Sequence, residues 1–200
     1  SFGISMDEAE PRFLESIEIM KKSWLNDERW SYEGKFWQFN DIIVEPPCAQ
    51  KPHPPLWLAA GHPASIVKVA NMGANLLLDQ FSPTKSVLER VQTFREAQQN
   101  YNSNKVNGEI ALARALYIAK NEEDKMNAIE KRMNARARVD ALSQRPDGKN
   151  KASIMIHKGA DEALLGALIG TIDEIVERLY QLKEGGINYI LLVDAGGGIE

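Results

Sequence analysis

Residues 54–63, Pro-Pro-Leu-Trp-Leu-Ala-Ala-Gly-His-Pro, constrain the fold more than any other segment of the chain. Residues 56–60 are apolar without polar alternation, which is typical of a parallel strand that is buried on both faces. Gly61 permits a tight turn or a close approach, and Pro63 suits the first turn of a helix, where its missing N–H costs nothing. The segment therefore predicts a strand, a turn and a helix, the unit from which α/β folds are built.

The turn between this strand and helix has the features of a phosphate-binding site. The backbone N–H groups of Gly61 and His62 would point out of the strand end, with the positive end of the helix dipole behind them. A plain strand-to-helix turn without a ligand can have the same local sequence. Both interpretations stay open from this segment alone.

Composition excludes several classes of function. The chain has 200 residues, 44% of them hydrophobic, which is enough for one domain with a sizeable core or at most two small domains. A net charge of −4 with mixed signs gives no concentrated basic face, so we expect neither nucleic acid nor a membrane as a partner. No apolar run reaches membrane-spanning length and residues 1–10 lack a secretory apolar core, so we expect a cytoplasmic protein. Cys48 is the single cysteine, without His or Cys at ligand spacing, so we expect no disulfide and no metal site.

Helix and strand patterns alternate along the chain. Helices are predicted to begin near residues 11, 63, 83, 121 and 171, and strands to cover residues 56–60, 76–78, 110–119 and 188–194. Residues 30–39 are predicted to form a short loop or hairpin, and the proline-rich residues 45–55 an extended segment. Four strand–helix units make half of an eight-stranded barrel, and a half-barrel would expose two strand edges. We therefore expect that an N-terminal half is missing.

Polar side chains next to the predicted strands are candidates for a site. Asp79, Gln80 and Asp194 follow or end strands, where barrel active sites are built. Arg114 lies within a strand, and we expect it to form a structural ion pair with a carboxylate. Trp57 and Phe81 are interpreted as core packing, with aromatic surface beside a ligand as the alternative.

Further predictions concern the helices. Ser82 is expected to cap a helix that Pro83 opens, Asn121 to cap the next helix, and Thr171 and Glu174 to form a capping box. The basic residues of the helix after Asn121 are interpreted as a solvated face; they are Lys131, Arg132, Arg136 and Arg138.

A series of short motifs runs in a fixed order along nearly all 200 residues. They are Arg12-Phe13-Leu14-Glu15 with Trp24, Tyr32-Glu33-Gly34-Lys35-Phe36, Pro46-Pro47, Gln50-Lys51-Pro52-His53-Pro54-Pro55-Leu56-Trp57, residues 70–73, Arg114 with Tyr117-Ile118-Ala119, and Gly170-Thr171 to Glu174 before Gly186-Ile187-Asn188-Tyr189. In their order and spacing they resemble the luciferase-like, flavin-dependent monooxygenase family. The resemblance implies an α/β fold of the (β/α)8 TIM-barrel type, with residues 1–200 supplying about the C-terminal half, roughly strands 5 to 8 with their helices.

The resemblance also implies a function. Complete members use reduced FMN and O2 to oxygenate a small organic substrate, and a flavin reductase is the expected source of reduced FMN. The family's flavin phosphate site maps onto Ala60, Gly61 and His62, with Ser65 as a nearby hydroxyl. Where the family often has a serine, this chain has His62, so phosphate binding would rest on backbone N–H groups with the imidazole as an additional donor. An exposed loop histidine is the alternative interpretation of His62.

A mobile active-site loop after the seventh strand is a further implication. Residues 143–159 lack periodicity and match the position of this lid. Arg145 and Lys149 are candidate contacts to an anionic substrate or the flavin phosphate, with solvated loop charges as the alternative. The family's N-terminal elements, which carry its catalytic histidine, have no counterpart here. The catalytic residues are therefore unknown, and we expect the isolated chain to be inactive.

Other interpretations stay open. A deazaflavin-dependent oxidoreductase of the same family shares the phosphate turn and transfers hydride without O2. A non-catalytic flavin-binding or partner-binding protein of barrel-derived fold would account for the two exposed strand edges. A phosphate-binding barrel enzyme unrelated to flavin is a more distant possibility, since TIM barrels share such sites by fold alone. We expect a homo-oligomer.

Overall fold

The computed structural model describes residues 5–101, 108–143 and 165–194, which divide into two compact units. The first unit ends at Pro55 and the second begins at Leu56. All but the first residue of the predicted lid at 143–159, including Arg145 and Lys149, lie outside the described residues.

The first unit consists of a helix and an antiparallel hairpin: α1 (Met6–Leu25), β1 (Trp30–Glu33) and β2 (Gln38–Ile42). The helix begins earlier than predicted because the Ser5 side chain caps it. The Glu15 carboxylate accepts hydrogen bonds from the N–H groups of Phe36 and Trp37, at 3.0 and 3.1 Å. These bonds hold the hairpin turn against the helix, and the predicted hairpin is confirmed.

The second unit alternates strands and helices: β3 (Trp57–Ala59), α2 (Pro63–Asn71), β4 (Asn75–Leu78), α3 (Thr84–Tyr101), β5 (Ile110–Ile118), α4 (Glu122–Ser143), β6 (Leu168–Gly170), α5 (Ile172–Glu184) and β7 (Tyr189–Asp194). Every strand pair is parallel: β3 with β4, β4 with β5, and β5 with both β6 and β7. Four of these strands are at the predicted positions. The strand β6 was missed, because three residues are too few to show a period.

The long strand β5 organises the sheet. Its first residues pair with β4, and Ile110 lies opposite Leu76. Residues 111–116 of β5 pair with residues 189–194 of β7, beginning with Ala111 opposite Tyr189. Its last residues pair with β6, and Leu116 lies opposite Leu168.

One face of the sheet packs against α2 and α3. Successive side chains of a strand point to opposite faces, so every second residue joins this core. Its fully buried members include Ile66, Leu76, Leu78, Val87, Phe94, Ile110 and Leu112. Of the alternate residues of β4 and β5, Leu77 and Ala113 line the cavity described below.

The helix α4 packs elsewhere, in a second apolar cluster made with β5 and β6. The members of this cluster are Ala115, Ala128, Ile129, Ala167 and Ile169. As predicted, Asn121 caps α4, since its side chain accepts a hydrogen bond from the Asp124 N–H at 2.9 Å. The prediction of a solvated basic face is wrong for Arg132, which is only 9% exposed and donates to the Gln80 carbonyl at 3.0 Å. Lys131 and Arg138 are exposed.

Three further features concern the described part of the chain. None of its helices has the length and apolar character needed to cross a membrane. It contains no cluster of three or more His, Cys, Asp or Glu side chains arranged to hold a metal ion. Cys48 is a partly exposed free thiol.

Candidate functional site

An open cavity of about 450 Å³ lies where β3 and β4 end. Its lining residues are Ala59, Ala60, Gly61, Leu77, Leu78, Asp79, Gln80, Phe81, Ala113 and Leu191. Apart from Asp79 and Gln80, this lining is apolar. Ligand sites of parallel α/β proteins are found at the C-terminal ends of the strands, so the cavity is the candidate site.

An aromatic pair precedes the cavity-lining residues of β3 and β7. The rings of Trp57 and Tyr189 meet edge to face with centroids 5.6 Å apart. They precede Ala59 and Leu191 by two residues and therefore share their face of the sheet. Ala59 of β3 and Ala113 of β5 both line the cavity, and their small side chains leave open a volume that larger side chains would fill. Trp57 is half-buried and belongs to neither of the apolar core clusters of the described residues, so its predicted core packing is not borne out, whereas Phe81 lines the cavity.

The turn from β3 to α2 borders this cavity. His62 caps α2, since its Nδ1 accepts a hydrogen bond from the Ala64 N–H at 3.3 Å. In a neutral imidazole the proton is then on Nε2, and that nitrogen alone is left to donate to a ligand. This capping role was not predicted. In the part of the chain that the structure describes, the N–H groups of Gly61 and His62 donate to no acceptor.

The other two predicted cofactor contacts, Ala60 and Ser65, have backbone N–H groups that already donate within the protein. The Ala60 N–H donates to the Leu77 carbonyl at 3.3 Å and is therefore part of the sheet. The N–H of Ser65 donates to the His62 carbonyl within the first turn of α2. Ser65 is exposed and is not among the residues that line the cavity.

The turn after β4 is organised by the carboxylate of Asp79. One oxygen accepts from the N–H groups of Phe81 and Ser82, at 2.8 and 2.9 Å. The other accepts from the Ser82 hydroxyl at 2.9 Å and from Arg90 Nη1 at 2.7 Å. Burial raises the pKa of Asp79, but these hydrogen bonds outweigh it and bring the pKa below its ordinary value. The ionised carboxylate is therefore a structural acceptor with its oxygens already engaged.

Ser82 does not cap a helix as predicted. Its buried hydroxyl donates to Asp79 and accepts from Arg90 Nη1 at 2.8 Å, and α3 begins at Thr84. The carboxylate of Asp79, three residues earlier in the same turn, therefore takes the hydroxyl that was predicted to cap the helix.

Arg114 is buried in β5 with only 1% of its surface exposed. Its guanidinium donates to the carbonyls of Asp79 at 3.2 Å and Ser82 at 2.9 Å. Among the described residues, Arg114 therefore contacts carbonyl groups and does not form the predicted ion pair with a carboxylate. The Asp79 carboxylate attracts the Arg114 cation without a direct hydrogen bond to it. Desolvation lowers the pKa of Arg114 to about 10, with attraction by Asp79 opposing it and repulsion by Arg132 and Arg90 adding to it. Arg114 remains protonated at neutral pH.

The structure brings only some predicted residues together. Asp79 and Gln80 line the cavity, and Arg132 of α4 fixes the Gln80 carbonyl at its mouth. Asp194 ends β7 opposite Leu116 and is not one of the lining residues.

Arg90 is the residue that sequence reasoning missed. It lies on α3 between Val87 and Phe94, three residues after one and four before the other, so it shares their buried face. A charged residue on the apolar face of a helix was the available signal. The atoms nearest to a Cβ built on Gly61 are those of the Arg90 guanidinium, at 3.8 Å.

A parallel sheet with helices on one face and a cavity at the strand ends is the architecture of a TIM-barrel-type protein. The sequence model of the luciferase-like monooxygenases matches residues 1–189. The chain belongs to this family, so the resemblance seen in the sequence and the predicted fold class are confirmed.

The chain is similar in sequence to two monooxygenases and in fold to a solved dehydrogenase structure. The oxygenase component of a flavin-dependent trigonelline monooxygenase from Acinetobacter baylyi is 30% identical over 123 residues, 61% of this chain and 33% of that protein. An FMNH2-dependent dimethylsulfone monooxygenase from Pseudomonas putida is 24% identical over 200 residues, 92% of this chain and 53% of that protein. The structure of an F420-dependent secondary alcohol dehydrogenase superimposes with a TM-score of 0.73 at 16% identity, covering 98% of this chain and 59% of that one. The chain therefore spans about half the length of such relatives, or less.

Proposed function

We propose that this chain forms about half of the barrel of a monooxygenase that uses reduced FMN and O2 to oxygenate a small organic substrate. The observation that carries the proposal is that Gly61 lines the apolar cavity, while the N–H groups of Gly61 and of the exposed His62 beside it are unused in the described structure. Family membership and the names of the two monooxygenase relatives support the same chemistry. A separate flavin reductase is the proposed source of reduced FMN.

The residues present fit a flavin. The N–H groups of Gly61 and His62 and the Nε2–H of His62 would hold the phosphate at the start of α2. The aromatic ring system would lie in the apolar cavity, above Ala59 and Ala113. Reduced flavin, when bound, supplies the electrons that activate O2. The contribution of this chain is to orient the ring, to exclude water with Leu77, Phe81 and Leu191, and to shape the space for substrate.

The remaining predicted contacts belong to this proposal as well. Residues 143–159 are proposed as a lid over the cavity, with Arg145 and Lys149 as its cationic contacts. Asp194 would approach a ligand only from the end of β7, and Ser65 only from the exposed side of α2.

A deazaflavin-dependent oxidoreductase is the second candidate. The observation in its favour is the close superposition on the F420-dependent alcohol dehydrogenase. The two candidates share the phosphate turn and differ in the ring that enters the cavity and in the use of O2.

A titration of the purified chain with FMN, followed by quenching of flavin fluorescence, tests the proposal. We expect micromolar binding that Gly61→Leu weakens by about tenfold or more, because the added side chain projects toward the Arg90 guanidinium and crowds the turn. Ala64→Leu adds similar bulk on the exposed side of α2 and serves as the matched control. A folded chain that binds no flavin would contradict the proposal, and tighter binding of F420 than of FMN would favour the second candidate.

A further inference from the structure

Arg90 connects the two turns that border the cavity. Its Nη1 donates to Asp79 and to Ser82 in the turn after β4. Its Cζ, Nη1 and Nη2 are each 3.8 Å from a Cβ position on Gly61, in the turn after β3. Three equal distances mean that the flat guanidinium presents its face toward Gly61. The cation is thus held beside the very turn whose N–H groups are unused.

The guanidinium of Arg90 keeps donor capacity for a ligand. Both hydrogen bonds to Asp79 and Ser82 come from Nη1. Within the described residues, Nε and Nη2 of Arg90 donate to no acceptor. The side chain is 15% exposed, so it is largely shielded from water, where a charge-assisted hydrogen bond is stronger.

Two further guanidinium groups lie near Arg90. The guanidinium groups of Arg90, Arg114 and Arg132 each donate to the turn after β4, and Arg90 pairs there with the Asp79 carboxylate. Repulsion by Arg90 and Arg132 contributes to the lowered pKa of Arg114, after the larger effect of burial. An anion at the cavity mouth would relieve this repulsion.

We propose that Arg90 is a specificity-determining residue, which makes the cavity select a phosphorylated ring ligand over the same ring without phosphate. The Asp79 and Ser82 contacts fix its guanidinium beside Gly61, and its free donors and charge act on the phosphate. This inference rests on the proposed flavin site and adds to it the residue that separates FMN from riboflavin.

Parallel titrations of the full chain with FMN and riboflavin test the inference. We expect the wild-type chain to bind FMN more tightly than riboflavin. Arg90→Met should weaken FMN binding by about tenfold or more and leave riboflavin binding unchanged, so that the preference largely disappears. Arg90→Lys keeps the charge but loses the planar donor geometry, and should retain part of the preference. Lys85→Met, which removes an exposed charge from the same helix, is the control and should change neither affinity.

The outcomes separate the two proposals. If Arg90 only supports the fold, Arg90→Met and Arg90→Lys weaken both flavins in parallel, which would overturn this inference and leave the flavin site intact. Unchanged FMN binding in a folded Arg90→Met chain would do the same, and if this variant does not fold, Arg90→Lys decides alone. If the folded wild-type chain binds neither flavin, the proposed function fails and this inference fails with it.

Discussion

Asp79 shows how much a single side chain can organise at the residue scale. Its carboxylate accepts four hydrogen bonds from Phe81, Ser82 and Arg90, while its carbonyl accepts from Arg114. The conformation of the turn after β4 is therefore fixed by hydrogen bonds to both the side chain and the backbone of Asp79, without a ligand. A preorganised wall loses less conformational entropy when a ligand binds.

The stability contributed by Asp79 should depend on pH. Its pKa lies below the ordinary value of 3.8 in the folded chain, so the contribution is complete above that pH and is lost as the pH falls through the folded pKa. We expect Asp79→Asn to lower the free energy of unfolding at pH 7 by about 1–3 kcal/mol, because hydrogen bonds to a buried charge are lost. Below about pH 4 the difference from the wild type should shrink.

Urea denaturation at a series of pH values measures this effect. Glu177→Gln, a charge removal on the exposed side of α5, is the control and should track the wild type. A constant difference between Asp79→Asn and the wild type from pH 7 to the acid range would contradict the prediction.

At the scale of elements, the start of α5 is cross-linked to α4. Thr171 and Glu174 form a capping box in which the Thr171 N–H donates to the Glu174 carboxylate at 2.7 Å. Lys125 of α4 donates to the other carboxylate oxygen at 2.8 Å. The hydrogen bond from Lys125, followed by that from the Thr171 N–H, lowers the pKa of Glu174 to about 2. The capping box was readable from the sequence, whereas its partner on α4 was not.

Removing Lys125 should therefore raise the pKa of Glu174. We expect Lys125→Met to move it from about 2 toward its ordinary value of 4.5, because the largest stabilising contact of the ionised form is lost. The contribution of Glu174 to stability, which in the wild type is lost only as the pH falls toward 2, would then be smaller. Carbon-detected NMR titration of the Glu174 carboxyl measures the shift. The exposed Lys131→Met is the control, and an unchanged Glu174 pKa in the Lys125 variant would show that the contact is absent in solution.

At the scale of the whole molecule, the parallel sheet has open edges. Among the described strands, β3 pairs only with β4 and β7 only with β5. Leu191, Leu192 and Val193 of β7 are about half exposed, which is unusual for a strand of a parallel sheet. Exposed apolar strand edges favour pairing with another chain.

We therefore expect the isolated chain to self-associate as its concentration rises. Leu192→Lys places a charge on a residue that is 56% exposed and should increase the monomer fraction. Tyr180→Lys, on a helix residue that is 59% exposed, is the matched control and should leave association unchanged. Analytical ultracentrifugation measures both. A chain that stays monomeric at all concentrations, or a Leu192→Lys variant that associates like the wild type, would contradict the prediction.

What the sequence determined by itself is local. Periodicity and turn chemistry located β3, the start of α2 at Pro63, the cap at Asn121 and the capping box at Thr171, because each depends on neighbours within one helical turn or one strand. The same local reasoning placed Asp79 and Gln80 at a strand end, where they line the cavity.

Only the tertiary structure decided how distant groups meet. The packing of α3 against the sheet places Arg90 beside Gly61, and the pairing of β4 with β5 supplies Arg114 with the carbonyls of Asp79 and Ser82. Likewise α4 buries Arg132 at the mouth of the cavity. The physical reason is that a buried charge takes whichever acceptor the packing of other elements brings within reach, and the local sequence does not encode that acceptor.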